Sequence, residues 1–216
     1  MALHKHNVAL SGWKNLPVFG SMVEEIFDNS WHYNKATVQI YGSSLIRDLF
    51  YHAQNTAGLN TQLNIPGIHV VWNGNPGHSV ARVVQEFETN THPAQGRRSL
   101  SALRLTQPEV VVYVWLGNDI DNGEDPDQTA WRACQMAQFG GSLNEHTQSY
   151  VCSVLPRTDP FYLDPAVYKV RAKECNDLLE YRLNTRENWF PNVHYHKCER
   201  FENATVQLLT VAMIDI

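Results

Sequence analysis

The chain has 216 residues, of which 43% are hydrophobic and 18% are charged, and its formal net charge is −5 at pH 7. This composition predicts a globular protein with one sizeable core and excludes an intrinsically disordered chain. Basic residues form no cluster beyond Arg97 and Arg98, so the composition gives no support to nucleic-acid binding. No apolar run reaches the roughly 18 residues that a membrane-spanning helix needs, and we expect no membrane association.

The cysteines and the N-terminus indicate the compartment. Cys134, Cys152, Cys175 and Cys198 are widely spaced and contain no Cys-x-x-Cys pair, which argues against a zinc knuckle or a redox motif. Residues 1–6 lack the basic-then-apolar pattern of a signal peptide. We therefore expect reduced thiols, a cytoplasmic location, and neither a metal nor a cofactor.

Strand and helix patterns alternate along most of the chain. Residues 1–35 lack sustained periodicity and are predicted to be an N-terminal extension, followed by one domain over 36–216. Strands are predicted at 37–41, 67–72, 110–115, 149–155 and 192–196. Helices are predicted at 44–57, 78–88, 128–138 and 165–186. Such alternation predicts a parallel sheet of about five strands in a three-layer α/β/α sandwich.

Each of the first three predicted strands ends in a segment that carries a candidate catalytic group. Ser44 follows the first strand, a loop with Gly74 and Gly77 follows the second, and Asn118 follows the third. Chemistry in open parallel sheets collects at the carboxyl ends of the strands, where these segments should meet. A serine nucleophile with glycine and asparagine oxyanion donors predicts acyl transfer.

Each of these segments also has an ordinary structural interpretation. Ser43 or Ser44 is a suitable N-cap for the following helix. The glycines suit a plain loop between a strand and a helix, and Asn118 with Asp119 is a common turn pair.

Taken together and in this order, the segments resemble the motifs of the GDSL/SGNH hydrolases, over about residues 36 to 200. The Gly-Asp-Ser-Leu motif corresponds to residues 42–45, Gly-Ser-Ser-Leu, with Ser44 as the nucleophile. Gly77 is the best match to the glycine oxyanion donor, with Gly74 the alternative, and Asn118 matches the side-chain donor of Gly-x-Asn-Asp. The resemblance implies a flavodoxin-like fold and hydrolysis of a small-molecule ester.

Two further features resemble the family: residues 154–157, Val-Leu-Pro-Arg, and Asn176 in the last predicted helix. With these, the pattern looks most like the divergent SGNH-like domains of invertebrate animals. Ser43 replaces the motif's Asp, and Leu116 stands where the third motif has Gly.

The Asp-x-x-His segment that gives this family its base and orienting carboxylate occurs nowhere in the chain. Asp215 is our candidate for that Asp, which implies that the domain over 36–216 is truncated before its His. A degenerate copy is the alternative. His194 and His196 alternate on the last predicted strand, and we interpret them as ordinary strand histidines.

Two other functions fit the sequence less directly. One is a catalytically inactive binding or vestigial domain with the same fold, favoured by the missing Asp-x-x-His. The other is a flavin or nucleotide binder, which has no support from a Gly-x-Gly-x-x-Gly or P-loop motif. The acidic residues over 119–127 lack the order of a Ca²⁺-binding loop and are predicted to be a solvated loop.

Overall fold

A computed structural model describes residues 36–56, 60–62, 67–89, 103, 106–185 and 190–198, with the side chains of 85–89 excepted. The predicted extension over residues 1–35 therefore lies outside the described residues, and so does Asp215. No helix within the described ranges is both long and apolar enough to cross a membrane.

The centre of the described domain is a five-stranded sheet in which all neighbouring strands are parallel. Its strands are β1 (Ala36–Gly42), β2 (Ile68–Gly74), β3 (Val110–Val114), β4 (Gln148–Cys152) and β5 (Val193–His196). They lie in the order β2-β1-β3-β4-β5, which is the order of flavodoxin-like doubly wound sheets. The prediction of a five-stranded parallel sheet is confirmed.

Helices cover both faces of this sheet. They are α1 (Ser44–Asn55), α2 (Val80–Thr89), α3 (Gly117–Asp121), α4 (Pro126–Gly141) and α5 (Pro165–Asn184). Tyr41 of β1 packs in one core with buried residues of α2, α4 and α5. The neighbouring residue Gly42 points to the other face, where it lies against Ile46 of α1. The described chain is thus a three-layer α/β/α sandwich, as predicted.

The register of the sheet sets the position of the loops that carry the candidate groups. Gly42 of β1 pairs with Gly74 of β2 on one side and with Val114 of β3 on the other. The carboxyl ends of β1, β2 and β3 are therefore level, and the segments that follow them start from one edge of the sheet.

All four cysteines are buried and have free thiols. Cys134 lies on α4, Cys152 at the end of β4, Cys175 on α5 and Cys198 just after β5. Burial raises the pKa of Cys134 to about 11 and that of Cys175 to about 12. These two thiols are therefore protonated at neutral pH and are poor nucleophiles.

Candidate active site

Ser44 is the first residue of α1, directly after the turn that ends β1. Gly42 makes this turn possible, because an added Cβ would lie 2.1 Å from Cγ1 of Ile46. Ser43 is the buried N-cap residue, and its side chain makes no capping hydrogen bond. Ser44 is only partly buried. The first backbone N–H groups of a helix lack intrahelical partners and carry positive potential, so Ser44 lies at an electropositive end.

Gly77 lies in a tight turn over residues 75–78. The N–H of His78 donates to the carbonyl of Asn75 at 3.2 Å, and Gly77 has a φ of +68°. Pro76 followed by a glycine with positive φ is the pattern of a type II turn. The N–H of Asn75 donates to the carbonyl of Gly42 at 2.9 Å, which ties this turn to the end of β1. Gly77 itself is exposed.

The side chains of Asn118 and Asp119 on α3 hold the same loop from the other side. Asn118 Nδ2 donates to the carbonyl of His78 at 2.8 Å. Asp119 accepts from the backbone N–H groups of Val80 and Ala81 at 2.9 and 2.8 Å. The loops that carry Ser44, Gly77 and Asn118 are thus joined by direct hydrogen bonds at one edge of the sheet.

Burial dominates the electrostatics of Asp119, whose side chain has no exposed surface. It raises the pKa of Asp119 to about 6, although the N–H groups of Ala81 and Val80 favour the charged carboxylate. Near neutral pH this carboxylate is therefore more easily protonated than an exposed one.

Asp121 and Arg157 also belong to this region, although sequence reasoning gave neither residue a role. The Asp121 carboxylate accepts from Arg157 Nη1 at 2.8 Å and from three consecutive backbone N–H groups, those of residues 161–163. Burial alone would raise the pKa of Asp121, but these N–H groups and the Arg157 guanidinium together hold it below its ordinary value. The prediction of a solvated acidic loop is wrong for Asp119 and Asp121, which are buried in α3.

The structure also shows the contacts of residues 154–157 and of Asn176, which the sequence analysis named as similar to the family. Asn176 of α5 accepts from the N–H of Val154 at 2.7 Å and donates to its carbonyl at 3.3 Å. Arg157 Nη2 donates to Asn118 Oδ1 at 2.6 Å. The Val-Leu-Pro-Arg run was the sequence signal that could have led to Arg157.

Among the described residues, no histidine makes a hydrogen bond to the Ser44 hydroxyl. His194 contacts Gln148, and His78 is buried with its ring edge-on to Trp115. His196 ends β5, three strands from β1, or about 14 Å away at the usual strand spacing. Burial lowers the pKa of His196. Within the part of the chain that is described, no group of three His, Cys, Asp or Glu side chains could hold a metal ion.

No protein-family model matches the chain, and no curated protein sequence matches it significantly. Several solved esterase structures are similar to it in fold. A family 3 carbohydrate esterase from Talaromyces cellulolyticus has a TM-score of 0.51 and 12% identity, over 82% of this chain and 94% of that one. The M. smegmatis aryl esterase has a TM-score of 0.51 and 13% identity, over 76% of this chain and 85% of that one. The family 3 carbohydrate esterase of Clostridium thermocellum has a TM-score of 0.50 and 14% identity, over 79% of this chain and 81% of that one. The chain thus shares the α/β fold of these esterases.

Proposed function

We propose that this chain is a serine ester hydrolase of the SGNH type, acting on a small-molecule ester without a cofactor. The observation that carries the proposal is the fixed side chain of Asn118. It bonds to the carbonyl of His78 in the loop that holds Gly77, and that loop is tied to the end of β1 next to Ser44. The buried, reduced thiols fit a cytoplasmic location, which we propose as well.

In the proposed reaction, Ser44 Oγ attacks the carbonyl carbon of the ester and its proton passes to a base. The negative charge that develops on the carbonyl oxygen is held by the N–H groups of Ser44 and Gly77 and by Asn118 Nδ2. Collapse of this intermediate expels the alcohol, which takes up the proton, and leaves an acyl-serine. Water then hydrolyses the acyl-serine, which releases the acid and restores Ser44.

The described residues do not include the base of this reaction. We retain Asp215 as the proposed carboxylate that orients a histidine base, and Asp215 lies outside the described residues. Oxyanion donors alone still accelerate acyl transfer in serine hydrolases that lack their base, so a measurable rate does not require a complete triad.

The proposal is tested by the hydrolysis of p-nitrophenyl acetate by the wild-type chain, Ser44→Ala and Ser142→Ala. Ser142 is a matched control, because it is an exposed serine at the end of α4 whose hydroxyl donates to the Phe139 carbonyl, far from the proposed site in sequence. We expect hydrolysis by the wild type and by Ser142→Ala, and a loss of roughly 10²-fold or more in Ser44→Ala. Equal loss in both variants would contradict the assignment of Ser44.

A catalytically inactive binding or vestigial domain is the second candidate. It is favoured by the lack of any described histidine at Ser44 and by Ser43 in place of the motif's Asp. This function predicts that the wild type and Ser44→Ala both hydrolyse the ester at the rate of buffer alone.

A further inference from the structure

Arg157 links the proposed oxyanion donor to a buried carboxylate. One arm of its guanidinium donates to Asn118 Oδ1 at 2.6 Å, and the other donates to Asp121 Oδ2 at 2.8 Å. Asp121 is only 3% exposed and is itself fixed by three backbone N–H groups. The planar fork of arginine suits such a two-acceptor bridge, and the ion pair on one arm fixes the position of the other.

Gly117 and Tyr168 lie close to this guanidinium. A Cβ on Gly117 would lie 3.0 Å from Arg157 Nη2 and 3.3 Å from the hydroxyl of Tyr168. The guanidinium carbon lies 5.8 Å from the centroid of the Tyr168 ring, and that hydroxyl donates to the carbonyl of Leu155 at 2.8 Å. A side chain larger than that of glycine at position 117 would therefore crowd the guanidinium of Arg157.

The two partners of the Asn118 amide require the same orientation. Arg157 is only a donor and must meet Oδ1, while the carbonyl of His78 is only an acceptor and must meet Nδ2. A flipped amide would place NH₂ against the guanidinium and oxygen against oxygen. Nδ2 carries two hydrogens, and the bond to His78 uses one of them, so the amide can still donate the second.

We propose that Arg157 is a positioning residue that orients and polarises the Asn118 side chain as an oxyanion donor. The positively charged guanidinium that donates to Oδ1 draws electron density from the amide. This makes the N–H groups of Nδ2 stronger donors, as expected for linked hydrogen bonds. The inference rests on the proposed function for its catalytic meaning, but the orientation of Asn118 can be measured without turnover.

The first test is NMR of the Asn118 side-chain amide in the ¹⁵N-labelled 216-residue chain, assigned by its loss in Asn118→Ala. We compare the wild type with Arg157→Met, Arg157→Lys and Arg171→Met. Arg171 is a matched control, because it donates to the carbonyls of Gly123 and Glu124, close to α3, without contacting Asn118. Arg157→Lys keeps the positive charge beside Asp121 should Arg157→Met fail to fold.

We expect two well-separated, slowly exchanging Nδ2 hydrogens in the wild type and in Arg171→Met. Loss of a hydrogen bond to a charged group should speed their exchange with water by about tenfold or more in Arg157→Met. Arg157→Lys should show a smaller increase, because an ammonium group does not bridge both acceptors. Wild-type exchange in the folded Arg157→Met or Arg157→Lys protein overturns the proposal.

The second test is a double-mutant cycle on ester hydrolysis. Arg157→Lys should lower kcat by about tenfold with little change in KM, since the contact acts on the transition state. In an Asn118→Ala background the same change should have no further effect, because Arg157 acts through Asn118. If the losses in kcat of the two single variants multiply in the double variant, Arg157 does not act through Asn118. Should the wild type hydrolyse no ester, the proposed function fails, and the NMR measurement alone decides the role of Arg157.

Discussion

Gly74, at the end of β2, lies in backbone contact with the first turn of α1. A Cβ at this position would lie 2.1 Å from the backbone nitrogen of Arg47 and 2.6 Å from its Cα. Neither atom can move without displacing the helix that begins at Ser44. The contact explains why glycine stands here, and it makes Gly74 a packing residue, which leaves the exposed Gly77 as the better candidate oxyanion donor.

We expect Gly74→Ala to lower the free energy of unfolding by about 2 kcal/mol or more, because it overpacks a rigid backbone contact. Gly123→Ala is the control: the φ of Gly123 is +81°, but within the described part of the chain nothing lies within 4 Å of the new methyl group. That change should cost only about 1 kcal/mol of conformational strain. Urea unfolding of the two variants measures both values, and a smaller loss in Gly74→Ala would contradict the contact.

Asp119 should make stability depend on pH in an unusual direction for a carboxylate. Its pKa of about 6 in the folded chain is above the ordinary value of 3.8. The folded state therefore binds the proton more tightly, and this contribution to stability is fully present below about pH 3.8 and is lost as the pH rises through about 6. The shift corresponds to up to roughly 3 kcal/mol.

We expect the free energy of unfolding of the wild type, relative to Asp119→Asn, to fall between pH 4 and 6.5. His196, with its lowered pKa, acts in the opposite direction in both proteins and cancels in the difference. Urea unfolding at a series of pH values gives the comparison, and a ¹³C carboxyl titration gives the pKa directly. Parallel pH profiles in the two proteins would rule out the raised pKa.

The sequence allowed Ser44, Gly77 and Asn118 to be proposed because each follows a strand end and matches a short local motif. Whether they form an active site stays a prediction. Asp121 could not be found in that way, since its contacts join residues about 40 positions apart. The Val-Leu-Pro-Arg run marked Arg157, but it did not indicate the residues that Arg157 contacts. A buried carboxylate and a solvated one look the same in a sequence until the backbone N–H groups that surround it are known.

Two of the helices begin with the same pair of residues. Asp125 precedes Pro126 at the start of α4, and Asp164 precedes Pro165 at the start of α5. Each aspartate accepts backbone N–H groups of the first turn, and proline suits the first helical position because it has no N–H to satisfy. The start of α5 was predicted from Pro165. The start of α4 was placed two residues late, at 128, because Asp125 was assigned to an acidic loop.

Asp125→Ala should lower the free energy of unfolding by about 1 kcal/mol, because the N–H groups of Asp127 and Gln128 lose their acceptor. Asp125→Asn keeps a capping oxygen and should be close to wild type. Thermal unfolding of the two variants separates the loss of the cap from the loss of the charge. An equal loss in both would attribute the effect to charge instead.

The end of strand β4 could not be predicted from the local sequence pattern. The apolar run predicts a strand over 149–155, but β4 ends at Cys152. The backbone of Val154 is bonded on both its N–H and its carbonyl by the side chain of Asn176, so no neighbouring strand pairs with it. Helix α3 was not predicted either, because its five residues are too few for a periodic pattern.

At the scale of the whole molecule, the sheet was the most predictable feature. Its strands are short apolar runs separated by helices, and a parallel connection needs such crossovers, so strand number and direction follow from the pattern. The part that the sequence leaves open is the base of the proposed reaction. Strand order places His196 at the far edge from Ser44, and periodicity alone does not show that separation.

The buried thiols have a practical consequence: the rate at which they are labelled reports local unfolding in the half of the domain that contains β4 and β5. The four cysteines are each less than 10% exposed, and they lie on α4, β4 and α5 and just after β5: Cys134, Cys152, Cys175 and Cys198. A thiol reagent needs access to a thiolate, so labelling of the native chain should proceed only through local unfolding. Cys198 should react first, because hydrogen bonds from Cys152 and Ser153 lower its pKa. Mass spectrometry of the labelled chain would time each opening without any mutation, and rapid labelling of all four would show that this half is not closed.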